Sequence, residues 1–160
     1  MLSSNNLELY FSEESNFRVL ESLLKKNRIM TLRELEYCAR NYDTYVVEPK
    51  NNSIYSHTLQ VLGKKRFDAF RRSKHFNFKT EYGEVKTNFA QLRFIQFTIQ
   101  YGIYKFAKEN RKLIFSDMMQ NINRGVLRKK ELKAKGTSKS QRKKYFIKSI
   151  HGGKTRLSHC

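Results

Sequence analysis

A chain of 160 residues, 39% hydrophobic and 13% aromatic, has room for one domain with a sizeable core and is too apolar to be wholly disordered. A formal charge of +19 and a pI near 10.1 favour partners with dense negative charge, nucleic acid first and an anionic membrane surface second. Two cysteines, Cys38 and Cys160, exclude a disulfide framework and a cysteine-based zinc site and point to a reducing compartment.

The sequence shows no basic stretch followed by an apolar leader and no apolar run of the roughly 18 residues that a membrane helix requires, so neither secretion nor membrane insertion is expected. The charge is uneven. Residues 1–49 hold 6 Lys/Arg against 8 Asp/Glu, residues 50–123 hold 14 against 5, and residues 124–160 hold 13 against 1. This division predicts an N-terminal amphipathic segment (1–28), a compact α+β domain (29–124) and a basic C-terminal tail (125–160).

In residues 1–28, Phe17, Leu20, Leu23 and Leu24 fall at helical spacing among acidic positions, which predicts a short amphipathic helix, docked or mobile. Thr31-Leu32-Arg33-Glu34 reads as a capping box, in which hydroxyl and carboxylate satisfy free backbone N–H groups. A helix of about ten residues follows, with Leu32, Leu35 and Ala39 inward. Pro49 to Ser53 has turn chemistry between β-branched and aromatic residues, so Tyr45–Val47 and Ser53–Tyr55 are predicted to form a first hairpin. From Ser56, Leu59, Leu62, Phe67 and Phe70 return to helical spacing, with Lys64, Lys65, Arg66, Arg71, Arg72 and Lys74 clustered around them.

His75–Thr80 alternates around Phe76 and Phe78, Tyr82-Gly83 marks a turn, and Val85–Thr87 returns as a second hairpin. Asn88 is a candidate N-cap. Behind it Phe89, Leu92, Ile95, Ile99, Ile103 and Phe106 form one stripe, and Phe94, Phe97, Tyr101 and Tyr104 an adjoining one, as expected of a central core helix. Leu113, Ile114 and Met118 continue or restart helix until Asn121 to Gly125 supplies an end signal. Beyond Gly125, Lys/Arg clusters mix with glycine, serine and threonine, the composition of a tail that orders only on a partner. The predicted fold is therefore α+β, a small helical core with two short hairpins and a central apolar helix, followed by a flexible basic tail.

Two groups of cations are candidate phosphate contacts, because Lys and Arg release counterions when they neutralise a nucleic-acid backbone. The first is Lys64, Lys65, Arg66, Arg71, Arg72 and Lys74; the second is Arg128, Lys129, Lys130, Lys133, Lys135, Lys139, Arg142, Lys143, Lys144, Lys148, Lys154 and Arg156. Tyr145, Phe146 and Ile147 lie inside the second, where they can stack on bases or pack back on the domain. The blander readings are a solvated helix face and a localisation tail, since Gln141-Arg142-Lys143-Lys144 resembles a nuclear import signal.

Enzyme signatures are absent from the sequence: no Walker loop, no dinucleotide fingerprint and no His-Glu-x-x-His helix. His57, His75, His151 and His159 are scattered, and neither Asp68 nor Asp117 belongs to a carboxylate cluster of the kind a nuclease metal requires. No catalytic residue, metal or cofactor is expected.

Lys65-Arg66-Phe67-Asp68-Ala69-Phe70-Arg71-Arg72, a β segment, and then Thr87-Asn88-Phe89-Ala90-Gln91-Leu92-Arg93-Phe94 running into Ile99-Gln100-Tyr101-Gly102-Ile103, together with Thr31 to Tyr37, resemble a family of small basic proteins of giant nucleocytoplasmic large DNA viruses. The resemblance covers about residues 30–120. Ala69 stands where that family commonly has proline, and its central-helix tryptophan is missing. The resemblance implies a viral protein without enzymatic activity, in the virion or the cytoplasmic viral factory, with the nucleus as another location, that coats or condenses genomic DNA.

DNA is favoured over RNA as the partner. The alternative is a minor capsid or core component whose basic tail binds an acidic protein or RNA. Glu8, Glu13, Glu14 and Glu21 are a further candidate feature, an acidic stretch able to mask the tail.

Overall fold

The computed structural model describes residues 4–25, 29–46 and 53–135, and it divides into two compact units, Met1–Met118 and Met119–Cys160. Among the described residues there are seven helices and a single two-stranded hairpin. The first unit begins with α1 (Ser4–Phe11) and α2 (Glu14–Leu24). Both helices are docked: Leu7, Phe11, Phe17, Leu20 and Leu23 are fully buried in the same core as the rest of the unit.

α3 (Leu32–Val46) opens on the capping box the sequence predicts. The Glu34 amide donates to Thr31 Oγ1 at 3.2 Å, and Glu34 Oε2 accepts from the Thr31 amide at 2.7 Å. Glu34 is only 2% exposed, and its other oxygen takes Arg111 Nε at 3.3 Å. The cap therefore also ties α3 to the start of a later helix.

The predicted first hairpin is overturned. Tyr45 lies in α3, and Ser53–Tyr55 begins α4 (Ile54–Leu62), where Ser53 Oγ accepts from the Ser56 amide at 2.9 Å. Positions 47–52 fall outside the described residues. Tertiary packing overrides β propensity here: Tyr42 and Tyr45, three apart on α3, both meet the Phe106 ring, and Tyr55 packs against Phe67, Phe94 and Phe97.

The helix expected to run on from Ser56 stops at Leu62. Gly63 follows at φ +74°, a left-handed conformation natural to glycine, and its N–H closes onto the Leu59 carbonyl at 2.8 Å. Residues 64–75 therefore form a loop rather than a cation-bearing helix.

The second predicted hairpin is present as β1 (Phe76–Thr80) antiparallel to β2 (Gly83–Thr87), with Phe78 opposite Val85 and both turned into the core. α5 (Phe89–Gln100) is the central helix, with every residue from Phe94 to Thr98 buried. The apolar stripe that reads as one long helix is broken: Gly102, at φ +72°, ends α5 and opens α6 (Ile103–Glu109).

α7 (Arg111–Ala134) contributes Ile114 and Met118 to the first unit. It continues through Gly125, where the sequence predicts a helix end and a tail. Gly125 carries no positive φ, and Val126 to Ala134 are mostly good helix formers, so one glycine costing about 1 kcal/mol does not stop the helix. Among the described residues no helix is long and apolar enough to cross a membrane.

Candidate nucleic-acid interface

The loop of residues 64–75 is fixed from beneath by α5. Asn88 caps that helix by accepting from the Gln91 amide at 2.9 Å, while its own Nδ2 donates to the Arg71 carbonyl at 2.8 Å. Gln91 Oε1 accepts from the Thr87 hydroxyl at 2.7 Å, which orients its amide so that Nε2 donates to the Ala69 carbonyl at 3.0 Å. The Asp68 amide reaches the Ala90 carbonyl at 3.3 Å, and Arg93 Nη1 reaches the Arg66 carbonyl at 3.4 Å.

Phe67 and Ala69 are buried, so the loop has a core foot as well as a hydrogen-bonded floor. Buried amides paired in this way hold their partners in one geometry, because an unmade bond there would cost the full desolvation of each group.

The cationic side chains project from this anchored backbone. Lys64, Lys65, Arg66, Arg72 and Lys74 are exposed and Arg71 is half-buried. The structure thus brings all six predicted cations into one loop rather than onto a helix face. Asp68, the only acid among residues 64–75, is engaged locally: its Oδ1 accepts from the Phe70 amide at 2.9 Å.

A groove of about 480 Å³ opens beside the loop, lined by Thr58 and Leu62 of α4, Arg66 and Phe67 of the loop, and Arg93, Gln96, Phe97, Gln100 and Tyr101 from α5 and its C-cap. Arg93 lies 5.9 Å from the centre of the Phe89 ring. Burial, and secondarily the neighbouring Arg66 charge, lower the Arg93 guanidinium from its usual pKa. Sequence reasoning missed this part of the site. Its signal is a polar row at 93, 96 and 100, three to four residues apart inside a mostly apolar helix.

In the second unit, Arg128, Lys129, Lys130, Lys133 and Lys135 are all exposed. At about 100° per residue these positions surround the helix rather than marking one face. Lys139, Arg142, Lys143, Lys144, Lys148, Lys154 and Arg156 lie outside the described residues, as do Tyr145, Phe146 and Ile147.

Other ionisable groups tie elements of the fold together. Asp117 Oδ2 accepts from both Tyr37 Oη, at 3.0 Å, and Tyr45 Oη, at 2.5 Å, joining α7 to α3. Burial pushes the Cys38 thiol up to about 12, which leaves it neutral and a poor nucleophile. Among the described residues no group of three His, Cys, Asp or Glu side chains is placed to hold a metal ion.

Compared with known proteins, the chain matches no family model, no curated protein and no solved structure.

Proposed function

We propose that this protein binds nucleic acid without enzymatic action, contacting duplex DNA largely through its phosphates and with little sequence preference. The observation that carries the reading is the anchored loop of residues 64–75, which gathers six Lys and Arg residues against one acid on a backbone held by α5. The exposed cations of residues 128–135 supply a second set of contacts, and the net charge of +19 adds long-range attraction. Contacts from two sets of cations let one chain bridge neighbouring duplexes, so the proposed role is DNA compaction. The resemblance to giant-virus proteins supports a virion or viral factory as its setting.

Mixing the full chain with plasmid DNA is expected to give retarded complexes that dissolve as salt is raised and, at higher protein ratios, condensed particles. Binding undiminished at high salt would contradict phosphate-dominated recognition.

A second reading, an interaction protein of the capsid or core, draws on Val126 and Leu127, which are 45% and 59% exposed in the second unit. A defined protein partner retained after nuclease treatment would favour it.

A further inference from the structure

The groove between α4, the loop and α5 has a composition that phosphate binding alone does not require. At about 480 Å³ it falls within the roughly 300–1,000 Å³ of small-molecule sites. Its floor is aromatic: Phe97 meets Phe67 edge-on at 5.2 Å and Tyr101 at 4.8 Å between ring centres. Tyr101 is 51% exposed, so part of its ring surface is open. Gln96 lines the same groove while only 2% exposed. Arg93 contributes a positive charge to the same lining.

An apolar ring, a buried amide and a guanidinium are complementary to a planar heterocycle carrying a phosphate. The ring offers stacking, the amide reads a hydrogen-bonding edge, and the guanidinium forks onto phosphate oxygens. A paired base in a duplex has both its faces and its Watson–Crick edge occupied, so a stacking site of this kind is open chiefly to unpaired nucleotides.

Resting on the nucleic-acid reading above, we propose that this groove is a nucleotide pocket, which takes one unpaired nucleotide with its base against Tyr101 and its phosphate at Arg93. The protein would then hold frayed ends or single-stranded stretches differently from the duplex it coats.

The test measures fluorescence anisotropy of the full chain on a labelled 12-nucleotide single strand and on a duplex of the same length. It compares wild type with Tyr101→Ala, Tyr101→Phe and Arg93→Gln. A second single strand, carrying 2-aminopurine, reports stacking by quenching.

Tyr101→Ala is expected to weaken single-strand binding roughly 5- to 150-fold, the range measured for loss of one stacked base, with duplex affinity changed less than twofold. Tyr101→Phe should restore single-strand binding and the quench. Arg93→Gln should weaken single-strand binding more than duplex binding. Competition by millimolar thymidine or adenosine monophosphate would assign the pocket to a lone nucleotide, and competition by unlabelled single strand alone to a nucleotide within a strand.

Equal losses on single strand and duplex, or no loss with Tyr101→Ala, would overturn the pocket while leaving phosphate binding intact. No salt-dependent binding to either substrate would instead overturn the broader reading.

Discussion

The loop of residues 64–75 and the helix of residues 119–134 carry similar charge by opposite means. The loop has no regular structure of its own, yet Asn88, Gln91 and Arg93 hold its carbonyls and Phe67 roots it in the core. The helix has complete regular structure, yet its only partly covered residues are Ile122 and Leu132, and its cations point in every direction. Regularity of the backbone and fixity of the charge are therefore separate properties. The loop offers charges at set positions, and the helix offers charge density.

The sharpest way to break this contrast is to remove the loop's root. Phe67→Ala is expected to destabilise the first unit by about 3–5 kcal/mol through loss of burial and the cavity left behind, whereas Leu127→Ala should change stability by no more than about 0.5 kcal/mol. Urea denaturation followed by circular dichroism measures both, and comparable losses would erase the distinction.

Asn88→Ala removes the α5 cap and frees the Arg71 carbonyl together. A loss of about 1–2 kcal/mol is expected in the same assay, and hydrogen exchange should rise across residues 66–72.

Alkaline pH tests the core next to the loop. Burial, with the Glu36 carboxylate adding to it, pushes the Tyr55 phenol up to about 12 from 10.0. The folded state thus holds that proton more tightly than the unfolded chain. Stability is full below pH 10 and falls as pH rises from there to about 12. Absorbance at 295 nm should show a late-ionising phase after the exposed tyrosines, to which Tyr45, raised by burial and Asp117, also contributes, and Tyr55→Phe should reduce the amplitude of that phase without abolishing it.

The smallest expected effect belongs to the helix. A Cβ at Gly125 meets nothing within 4 Å, so Gly125→Ala should gain about 0.5–1 kcal/mol of helix stability, seen as increased ellipticity at 222 nm. A drop in ellipticity would argue against helix at this position.

Local chemistry was legible in the sequence. The Thr31–Glu34 capping box, the Asn88 cap and the Phe76–Thr87 hairpin each rest on residues close in the chain, and each forms. Features set by distant partners were not. Pro49 to Ser53 has turn chemistry, but Tyr45 is drawn into helix by Phe106 and Tyr55 by a cluster of rings from the loop and α5.

The cations at 64–74 were visible as charge, while their arrangement in a loop depends on Gly63 and on bonds reaching some twenty residues along the chain. Arg93 and Gln96 were hidden by the apolar residues around them, and only the placement of the loop against α5 gives them a common groove.

The most direct test of phosphate binding is a salt titration of affinity for random-sequence duplex DNA. It compares the full chain, a variant with Lys64, Lys65, Arg71, Arg72 and Lys74 changed to Gln, and a variant with Arg128, Lys129, Lys130, Lys133 and Lys135 changed to Gln. Each phosphate that is no longer neutralised lowers the slope of log K against log salt by about 0.9, so slopes shallower by about 2–4 are expected in both variants. Unchanged slopes in both would contradict the account.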